Sequence, residues 1–393
     1  MEKIISEDPI PLGHLARSKN ILDVLETEIR KQGFAGSALI PKLVYLIHMT
    51  CLLERPGSLA IKGPSGSGKS TSLNMGEQFI PPSAFERVEG MSERALLYVP
   101  NLDLKHKHLV IGEAAGLADG QGRVFLRQLL SEGRVRYMTV EKSKTGGMVG
   151  REIVVEGPTG AIMTTTAGHL HAEDESRMIS VSIRDSAEQI SEALLAQALG
   201  TSRKEYKPDL REWFELFEFV RSQPKNVEVP FAIPVARALP RTHDRVRRDF
   251  TQFLSLSKIC ALVHQLSRDR NADGAVVANL DDYGIVRELL NDALSHNLSV
   301  AVPQSVRSVV EAVQNLLPKV RTPGDAQGVT LFQMAEHLQR DRSVVSRHVS
   351  RALDDGFLED LNPGRGTQSR LVIGPRAMPS GRVLPPPEEL EMT

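Results

Sequence analysis

The stretch Gly63-Pro-Ser-Gly-Ser-Gly-Lys69-Ser70 decides the fold prediction for this chain. It follows the pattern G-x-x-x-x-G-K-S, in which glycines let the backbone curl so that successive N–H groups surround a phosphate. The segment Ser58–Lys62 before the loop reads as a short buried strand. Residues 71–76 continue as a helix, whose N-terminal dipole favours an anion. Strand, loop and helix in this order predict a nucleotide-binding α/β domain with a parallel sheet.

The same loop predicts two ligands. Lys69 is expected to place its ammonium against the β- and γ-phosphates as a catalytic cation, and the Ser70 hydroxyl is expected to ligate a metal. The expected cofactors are therefore ATP and Mg²⁺. The alternative is a chance match within a turn that is rich in glycine and serine. The loop residues predicted to hold the nucleotide are Gly63, Pro64, Ser65, Gly66, Ser67, Gly68, Lys69, Ser70 and Thr71.

Composition excludes several classes of protein. A length of 393 residues allows two or three domains, and a formal net charge of −1 gives no overall field that would attract nucleic acid. Cys51 and Cys260 are the only cysteines, which excludes a disulfide framework and a cysteine-based zinc site. The apolar stretch Leu43–Leu53 is too short to span a bilayer, and 1–8 lack a signal-peptide pattern. We therefore expect a cytoplasmic protein with no membrane partner.

Apolar periodicity and turn residues divide the chain into five segments. The predicted segments are a helical N-terminal region 1–55, an ATPase core 56–189, a helical lid region 190–320, a compact domain 326–375 and a disordered tail 376–393. Within the core, short apolar strands alternate with helices, which predicts a parallel sheet flanked by helices. The predicted strands are Leu59–Ile61, Leu109–Gly112, Ala161–Thr165 and Met178–Ile183. A β-hairpin is predicted over 134–156.

The segment His108-Leu-Val-Ile-Gly-Glu113 is an apolar strand that ends in a carboxylate. At the carboxyl end of a strand, Glu113 would lie beside the γ-phosphate, orient the attacking water and contribute to the metal site. Gly112 stands where such motifs commonly have aspartate, so Mg²⁺ would depend mainly on Ser70, phosphates and waters. The alternative is a carboxylate that caps a helix.

The strand Ala161–Thr166 is predicted to lie next to the strand that precedes the loop. A polar residue at its end would sense the γ-phosphate, and Thr165 or Thr166 is expected in that role. The alternative is a β-branched strand end with no special role.

Arg177 immediately precedes the last predicted strand of the core. We expect it to reach across a subunit interface and offset transition-state charge on a neighbour's nucleotide. The alternative is a surface ion pair with Glu173 or Glu175.

Arginines also open the helix that carries Phe250 and Phe253 on its apolar face. One of Arg245, Arg247 and Arg248 is expected to reach the nucleotide phosphates from the lid, and we assign this contact to Arg248. A cluster of arginines on a solvated face is the alternative.

The predicted hairpin is basic. Between Arg134 and Arg151 five basic residues stand against Glu141 alone, a local balance of 5 − 1 = +4. Lys142 and Lys144 lie beside the glycine-containing tip and are predicted to contact the phosphate backbone of single-stranded DNA. Few aromatic side chains are present, which favours tracking of the backbone without reading of sequence. The alternative is a solvated loop.

The segment that begins at Thr330 reads as a winged helix. It contains one helix to Leu338, a second helix over Arg342–Leu353, a strand and a turn at Asn362–Thr367. Ser343, Ser346, Arg347 and Ser350 fall on the exposed face of the second helix, and Arg347 is predicted to contact DNA. Winged helices also dimerise or bind protein, so these uses remain alternatives.

Six segments together resemble the AAA+ helicase-like ATPases of phages, integrated elements and primase–helicase fusions, which are relatives of the minichromosome-maintenance (MCM) helicases. The segments are 63–71, Met91–Leu96, His106–Ala114, Leu126–Gly133, Glu156–Gly160 and Glu175–Met178. The resemblance implies a P-loop AAA+ parallel-sheet core with a C-terminal winged helix. It also implies a homo-hexameric ring with ATP between subunits, and a presensor hairpin whose Lys142 or Lys144 grips single-stranded DNA. A primase, where one takes part, is expected on a separate chain.

These observations favour an ATP-dependent DNA helicase or translocase acting in the replication of a phage or mobile element. One alternative is an ATP-gated DNA-binding regulator whose winged helix selects a site. A second alternative is a defence-associated NTPase that remodels a protein partner.

Overall fold

Within the described residues, strands and helices alternate between Leu59 and Ser182, and most of the elements on either side are helices. The computed structural model of the protein describes residues 12–88, 102–113, 121–142, 148–166, 171–183, 187–201, 206–239, 245–301, 304–319, 328–364, 368–376, 378 and 383–390. The strands within these ranges are β1 (Leu59–Lys62), β2 (Phe85–Val88), β3 (Lys107–Ile111), β4 (Arg134–Lys142), β5 (Met148–Glu156), β6 (Thr159–Thr165), β7 (Ile179–Ser182), β8 (Val227–Glu228), β9 (Val276–Val277), β10 (Leu358–Asp360) and β11 (Leu371–Ile373).

The helices of the same ranges are α1 (Ile21–Lys31), α2 (Leu39–Met49), α3 (Lys69–Glu77), α4 (Gln121–Glu132), α5 (Ala172–Glu175), α6 (Ala187–Gly200), α7 (Arg211–Ser222), α8 (Ala232–Ala238), α9 (Arg245–Val263), α10 (Leu280–Ala301), α11 (Gln304–Leu316), α12 (Leu331–Leu338) and α13 (Arg342–Asp354). Among them, none has both the length and the apolar composition needed to cross a membrane.

A five-stranded sheet, parallel throughout, lies at the centre of the larger part of the chain. Its strand order is β2–β3–β6–β1–β7. In the register Leu59 of β1 pairs with Ile162 of β6 on one side and with Ile179 of β7 on the other. This confirms the α/β class and the predicted neighbour of the loop strand. The edge strand β2 was not among the predicted strands.

Helices cover both faces of the sheet. On one face α4 buries Phe125, Leu126 and Leu129, which recur at helical spacing, against Leu109 and Ile111 of β3. On the other face His48 of α2 packs against His108 of β3, with ring centroids 5.2 Å apart. α2 is apolar around nearly its whole circumference because it lies inside the molecule, between the sheet and other helices.

The β4–β5 hairpin is antiparallel and separate from the central sheet. Its base lies at the amino edge of the sheet, since the Gly157 N–H donates to the Gly133 carbonyl (2.7 Å) and Thr159 begins β6 directly afterwards. Val135, Ile153 and Val155 bury the inner face of the base in the same core as α4. The predicted tip around 145–147 lies outside the described residues.

The chain divides into two compact units. The first takes in the described residues up to Leu239, those of Arg245–Ala293 and those after Val383, and the second takes in those of Leu294–Val383. α11 therefore belongs to the second unit, whereas the sequence predicted that it would be part of a lid region over 190–320.

The second unit has a core of its own. α11, α12 and α13 pack together and cover β10 and β11, which pair antiparallel with Asp360 opposite Leu371. The backbone of Val329 adds hydrogen bonds of 2.8 and 2.9 Å to Leu371. The buried residues of α13 are Val345, Val349 and Ala352.

The last segment differs from the disordered tail expected over 376–393. Leu384 is 1% exposed, and a short 3-10 turn spans Pro387–Glu389. The Tyr283 hydroxyl of α10 donates to the Pro385 carbonyl (2.5 Å). Proline lacks an N–H but keeps a full carbonyl acceptor, so a proline-rich segment can still be fixed by a donor from elsewhere.

Candidate functional site

The carboxyl end of β1 leads directly into the glycine-rich loop and then into α3. Gly66 and Gly68 have φ of 83° and 78°, a left-handed conformation that side chains with a Cβ rarely adopt. Gly68 is the N-cap of α3, and its carbonyl accepts from the Ser72 N–H (2.8 Å). The loop therefore ends with the unpaired N–H groups of the first turn of α3 facing its interior.

The loop residues fit an anion such as a nucleotide phosphate. The Ser67 hydroxyl is buried and has no hydrogen-bond partner among the described residues. A Cβ at position 63 would come within 2.6 Å of the Ser67 Oγ, so this position has no room for a side chain. The Lys69 ammonium donates to the carbonyls of Gly63 (2.9 Å) and Pro64 (2.7 Å), which holds a buried cation inside the loop. Ser70, the predicted metal ligand, is exposed.

Two further strand ends meet the loop at the carboxyl edge of the sheet. The Thr166 N–H donates to the Glu113 Oε1 (3.3 Å), so the predicted carboxylate lies at the junction of β3 and β6. The Thr165 carbonyl accepts from the Gly63 N–H (3.2 Å), and the Thr165 side chain is buried. The structure thus brings together Lys69, Glu113 and both predicted sensor threonines.

A buried ion pair joins the last residue of β1 to the segment that precedes β7, and it was not predicted from the sequence. The Lys62 Nζ is 2.5 Å from the Glu175 Oε1, and the two side chains are 4% and 9% exposed. Lys62 is the residue before Gly63, and Glu175 stands two positions before Arg177. The pair therefore ties the start of the loop to the turn that carries the predicted interface arginine.

Arg177 lies at the opposite end of the sheet from the loop. β7 begins at Ile179, opposite Leu59, so Arg177 precedes the amino end of β1, whereas Gly63 follows its carboxyl end. β1 has 4 residues, or about 13 Å. Arg177 Nε donates to the Ser131 Oγ (2.8 Å), and its Nη1 donates to the Glu173 carbonyl.

The expected ion-pair partners of Arg177 are engaged elsewhere. Glu175 binds Lys62, and the Glu173 carboxylate binds Arg127. Partial burial, and then the like charges of Arg248 and Arg127, lower the pKa of Arg177 from its ordinary value. The Glu173 and Asp174 carboxylates act in the opposite direction, so Arg177 lies in a mixed cluster of charges.

Arg248 lies beside Arg177 rather than beside the loop. Its Nη1 donates to the Ser176 Oγ (2.7 Å), and Gln252, on the next turn of α9, donates to the Arg177 carbonyl (3.2 Å). Arg245 of the same helix donates to the Met178 carbonyl (3.2 Å). The structure therefore groups Arg248 with Arg177 at the amino edge of the sheet.

The cross-strand register of the hairpin determines which of its basic residues lie near a carboxylate. Arg134 lies opposite Glu156, whereas Arg136 lies opposite Val154 and forms a diagonal ion pair with Glu152. Counted over the whole hairpin, 134–156, the balance is 5 − 3 = +2, because β5 contributes two glutamates beyond Arg151. Lys142 ends β4 opposite Met148, and Lys144 lies outside the described residues. Among the described basic residues of the hairpin, Arg134 alone has a carboxylate residue directly opposite it, since Arg151 lies opposite Thr139.

In the second unit, one face of α13 is polar and exposed. Asp341 caps the helix by accepting from the Ser343 N–H (2.8 Å), and Arg347 is exposed one turn further along. Ser346 and Ser350 are exposed on the same helix. These exposures agree with the predicted outward face.

A scan of family models finds none that matches this chain, and no curated protein matches it either.

The buried pair generates a stability prediction. Replacing Lys62 by Met leaves the Glu175 carboxylate buried without its cation, which we expect to cost about 3–5 kcal/mol of unfolding free energy. The double change Lys62→Met with Glu175→Leu removes both charges and should restore most of that loss. Trp213, the only tryptophan, is buried in the first unit, so its fluorescence during urea unfolding measures the effect.

Lys107→Met is the matched control, because Lys107 pairs with the exposed Glu86 (3.0 Å) at the surface. We expect it to cost less than about 1 kcal/mol. A double variant as unstable as Lys62→Met would show that the two charges do not act as a pair.

Proposed function

We propose that the protein is an ATPase that assembles into a ring and acts as a DNA helicase or translocase of the AAA+, MCM-like type. The observation that carries this proposal is the meeting of three strand ends at one edge of a parallel sheet. The glycine loop with Lys69, the Glu113 carboxylate and the Thr165–Thr166 strand end lie together there. A cation, a carboxylate and a set of backbone N–H groups are the parts that phosphoryl transfer needs.

The chain's own residues divide the chemistry as follows. Loop N–H groups and the first turn of α3 bind the phosphates, and Lys69 exchanges its two carbonyl contacts for β- and γ-phosphate oxygens. Glu113 orients the attacking water, and its contact with the Thr166 N–H fixes the carboxylate at the edge of the sheet. Ser70 would hold Mg²⁺, which supplies charge neutralisation between the β- and γ-phosphates.

The arginines support a site shared between two copies of the chain. Arg177 and Arg248 lie at the amino edge of the sheet, about the length of β1 or more from the loop of the same chain. They therefore act on the nucleotide of a neighbouring copy, as an interface arginine and its companion. Repetition of such a head-to-tail contact closes into a ring, for which a hexamer is proposed.

The hairpin supports single-stranded DNA as the partner. Its base is fixed in the core, and its sequence holds five basic residues against three acidic ones, with Lys142 and Lys144 beside the predicted tip. Such a tip binds phosphates without reading bases.

A second candidate function rests on the C-terminal unit. Two helices, α12 and α13, share a core with the antiparallel β10–β11 pair, which supports the winged helix we propose, and Arg347 is exposed on α13. This favours an ATP-gated regulator that binds duplex DNA. A specific footprint that persists when the hairpin tip is deleted would support the regulator over the helicase.

Steady-state ATP hydrolysis tests the ATPase. Lys69→Ala should lose nucleotide binding and hydrolysis together, because the buried cation of the loop is gone. Glu113→Gln should bind ATP normally but hydrolyse it about 10²–10⁴-fold more slowly. Hydrolysis unchanged in Glu113→Gln would remove Glu113 from the reaction.

Mixing two inactive variants tests the shared site. Arg177→Ala should reduce hydrolysis about 10³-fold or more, while leaving ATP binding intact. In an equal mixture of Arg177→Ala and Lys69→Ala proteins, about a quarter of the interfaces combine an intact loop with an intact arginine. We expect the mixture to regain up to that share of activity. No recovery, when a pull-down through different tags proves that subunits have mixed, would contradict a site shared between copies.

Stimulation of hydrolysis by single-stranded DNA tests the hairpin. We expect Lys144→Ala, alone or with Lys142→Ala, to lose the stimulation and to keep basal hydrolysis. Arg136→Ala is the matched control, since Arg136 is paired with Glu152. Stimulation that persists in the double lysine variant would exclude the tip as the DNA contact.

A further inference from the structure

The C-terminal segment Leu384–Leu390, here called the tail segment, belongs to the first unit, although the chain reaches it only after passing through the second unit. The Tyr283 hydroxyl donates to the Pro385 carbonyl (2.5 Å), and the Arg287 Nε donates to the Leu384 carbonyl (3.3 Å). Tyr283 and Arg287 are four residues apart on α10, so they lie on one face of that helix. Two successive carbonyls of the tail segment are therefore bound by side chains of a single helix face.

The tail segment has the form of a bound peptide. At Pro386 its backbone has φ of −66° and ψ of 152°, which is the polyproline II conformation. Leu384 and Leu390, the two ends of the segment, are 1% and 8% exposed. Glu388 and Glu389 between them are exposed. A run of prolines between two buried apolar anchors is a form in which aromatic surfaces recognise proline-rich peptides.

The surface under the tail segment is built by aromatic residues from other parts of the first unit. The Tyr283 ring packs against Phe231 (ring centroids 5.2 Å apart) and Phe253 of α9 (6.1 Å). These contacts fix the ring independently of the tail segment, so the hydroxyl is already in position to bind a carbonyl. Burial raises the pKa of Tyr283 to about 12, and the hydroxyl therefore remains a donor at neutral pH.

We propose that the Tyr283–Arg287 face of α10 is a peptide-binding site, and that the tail segment is its detachable ligand, supplied by the same chain. The ligand class is a proline-rich peptide with a leucine at each end. A proline run loses little conformational entropy on binding, because the free chain already populates polyproline II, and this suits a ligand that binds and leaves. Docking ties the end of the second unit back to α10, the helix in which that unit begins, and release frees that end.

Fluorescence anisotropy of a labelled synthetic peptide with the sequence of Leu384–Thr393 tests the site on the full chain. The change Leu384→Glu in the protein disables the chain's own ligand and leaves the surface of α10 unchanged. We expect this variant to bind the peptide at least tenfold more tightly than the wild type does, because a tethered tail segment competes at an effective concentration on the order of millimolar. A peptide that carries Leu384→Glu should not bind.

Tyr283→Phe, added to the Leu384→Glu protein, removes the donor and keeps the ring against Phe231 and Phe253. We expect it to weaken peptide binding about 2–10-fold, the effect of one hydrogen bond. Tyr45→Phe is the matched control and should leave binding unchanged, since the Tyr45 hydroxyl is buried in the same unit and has no hydrogen-bond partner among the described residues.

Three results would overturn the proposal. The first is failure of the peptide to bind the Leu384→Glu protein while the fluorescence of Trp213 shows that the first unit is folded. The second is unfolding of the first unit in that variant, because the tail segment would then be part of the core rather than a ligand. The third is peptide binding that Tyr283→Phe leaves unchanged, which would place the peptide elsewhere on the protein.

Discussion

The parallel pairing of β1 between β6 and β7 is the constraint on which the rest of the structure depends. Parallel strands place all their carboxyl ends at one edge of the sheet. Residues that are far apart in sequence therefore meet at that edge when each of them follows a different strand. The pairing continues past the strand itself, because Gly63 N–H binds the Thr165 carbonyl and Ile183 N–H binds the Lys62 carbonyl. The loop thus leaves the sheet from the Lys62–Gly63 peptide, which is hydrogen-bonded on both sides, and then turns through the left-handed Gly66 and Gly68.

The same constraint separates two groups of charged residues. Lys69 and Glu113 belong to the carboxyl edge, whereas Arg177 and Arg248 belong to the amino edge. One connection between the edges is the Lys62–Glu175 pair, which is buried and therefore costly to desolvate. Two buried charges add little net stability, but either one alone is strongly destabilising, so the pair fixes one position of the 175–177 turn relative to the loop. The 175–177 turn, and Arg177 with it, therefore has a set position within the chain itself.

The sequence predicted features that depend on neighbouring residues and missed those that depend on distant ones. The loop, the apolar strand before Glu113 and the exposed face of α13 are local patterns, and each was predicted from the order and spacing of nearby residues. Glu175 lies close to Arg177 in the sequence and was considered as its ion-pair partner. Its actual partner, Lys62, is 113 positions away. The charge of the hairpin was overestimated for a similar reason, since cross-strand pairing decides which arginines face a carboxylate.

Composition also led to a wrong prediction of disorder for the segment that contains the prolines of 385–387. The prolines of 385–387 favour disorder when read locally, but Leu384 is buried and two side chains of α10, Tyr283 and Arg287, donate to the carbonyls of Pro385 and Leu384. A donor from a distant helix can order a segment that makes few contacts of its own. Composition can show that a segment lacks a core, but it cannot show whether a donor elsewhere in the fold will hold that segment.

Under the proposed function, the interface arginine and the DNA-binding hairpin need a mechanical connection, and the contacts of α4 supply one. Arg177 donates to Ser131 in the last turn of α4, and Gly133, directly after that helix, accepts from Gly157 at the base of the hairpin. α4 also shares a hydrophobic core with β3, which ends at Ile111, two residues before Glu113. A shift of Arg177 toward a neighbour's phosphate would therefore break or stretch a contact of the helix that supports the hairpin. Since packed interiors deform little, a change of that contact is expected to move α4 and the hairpin base together.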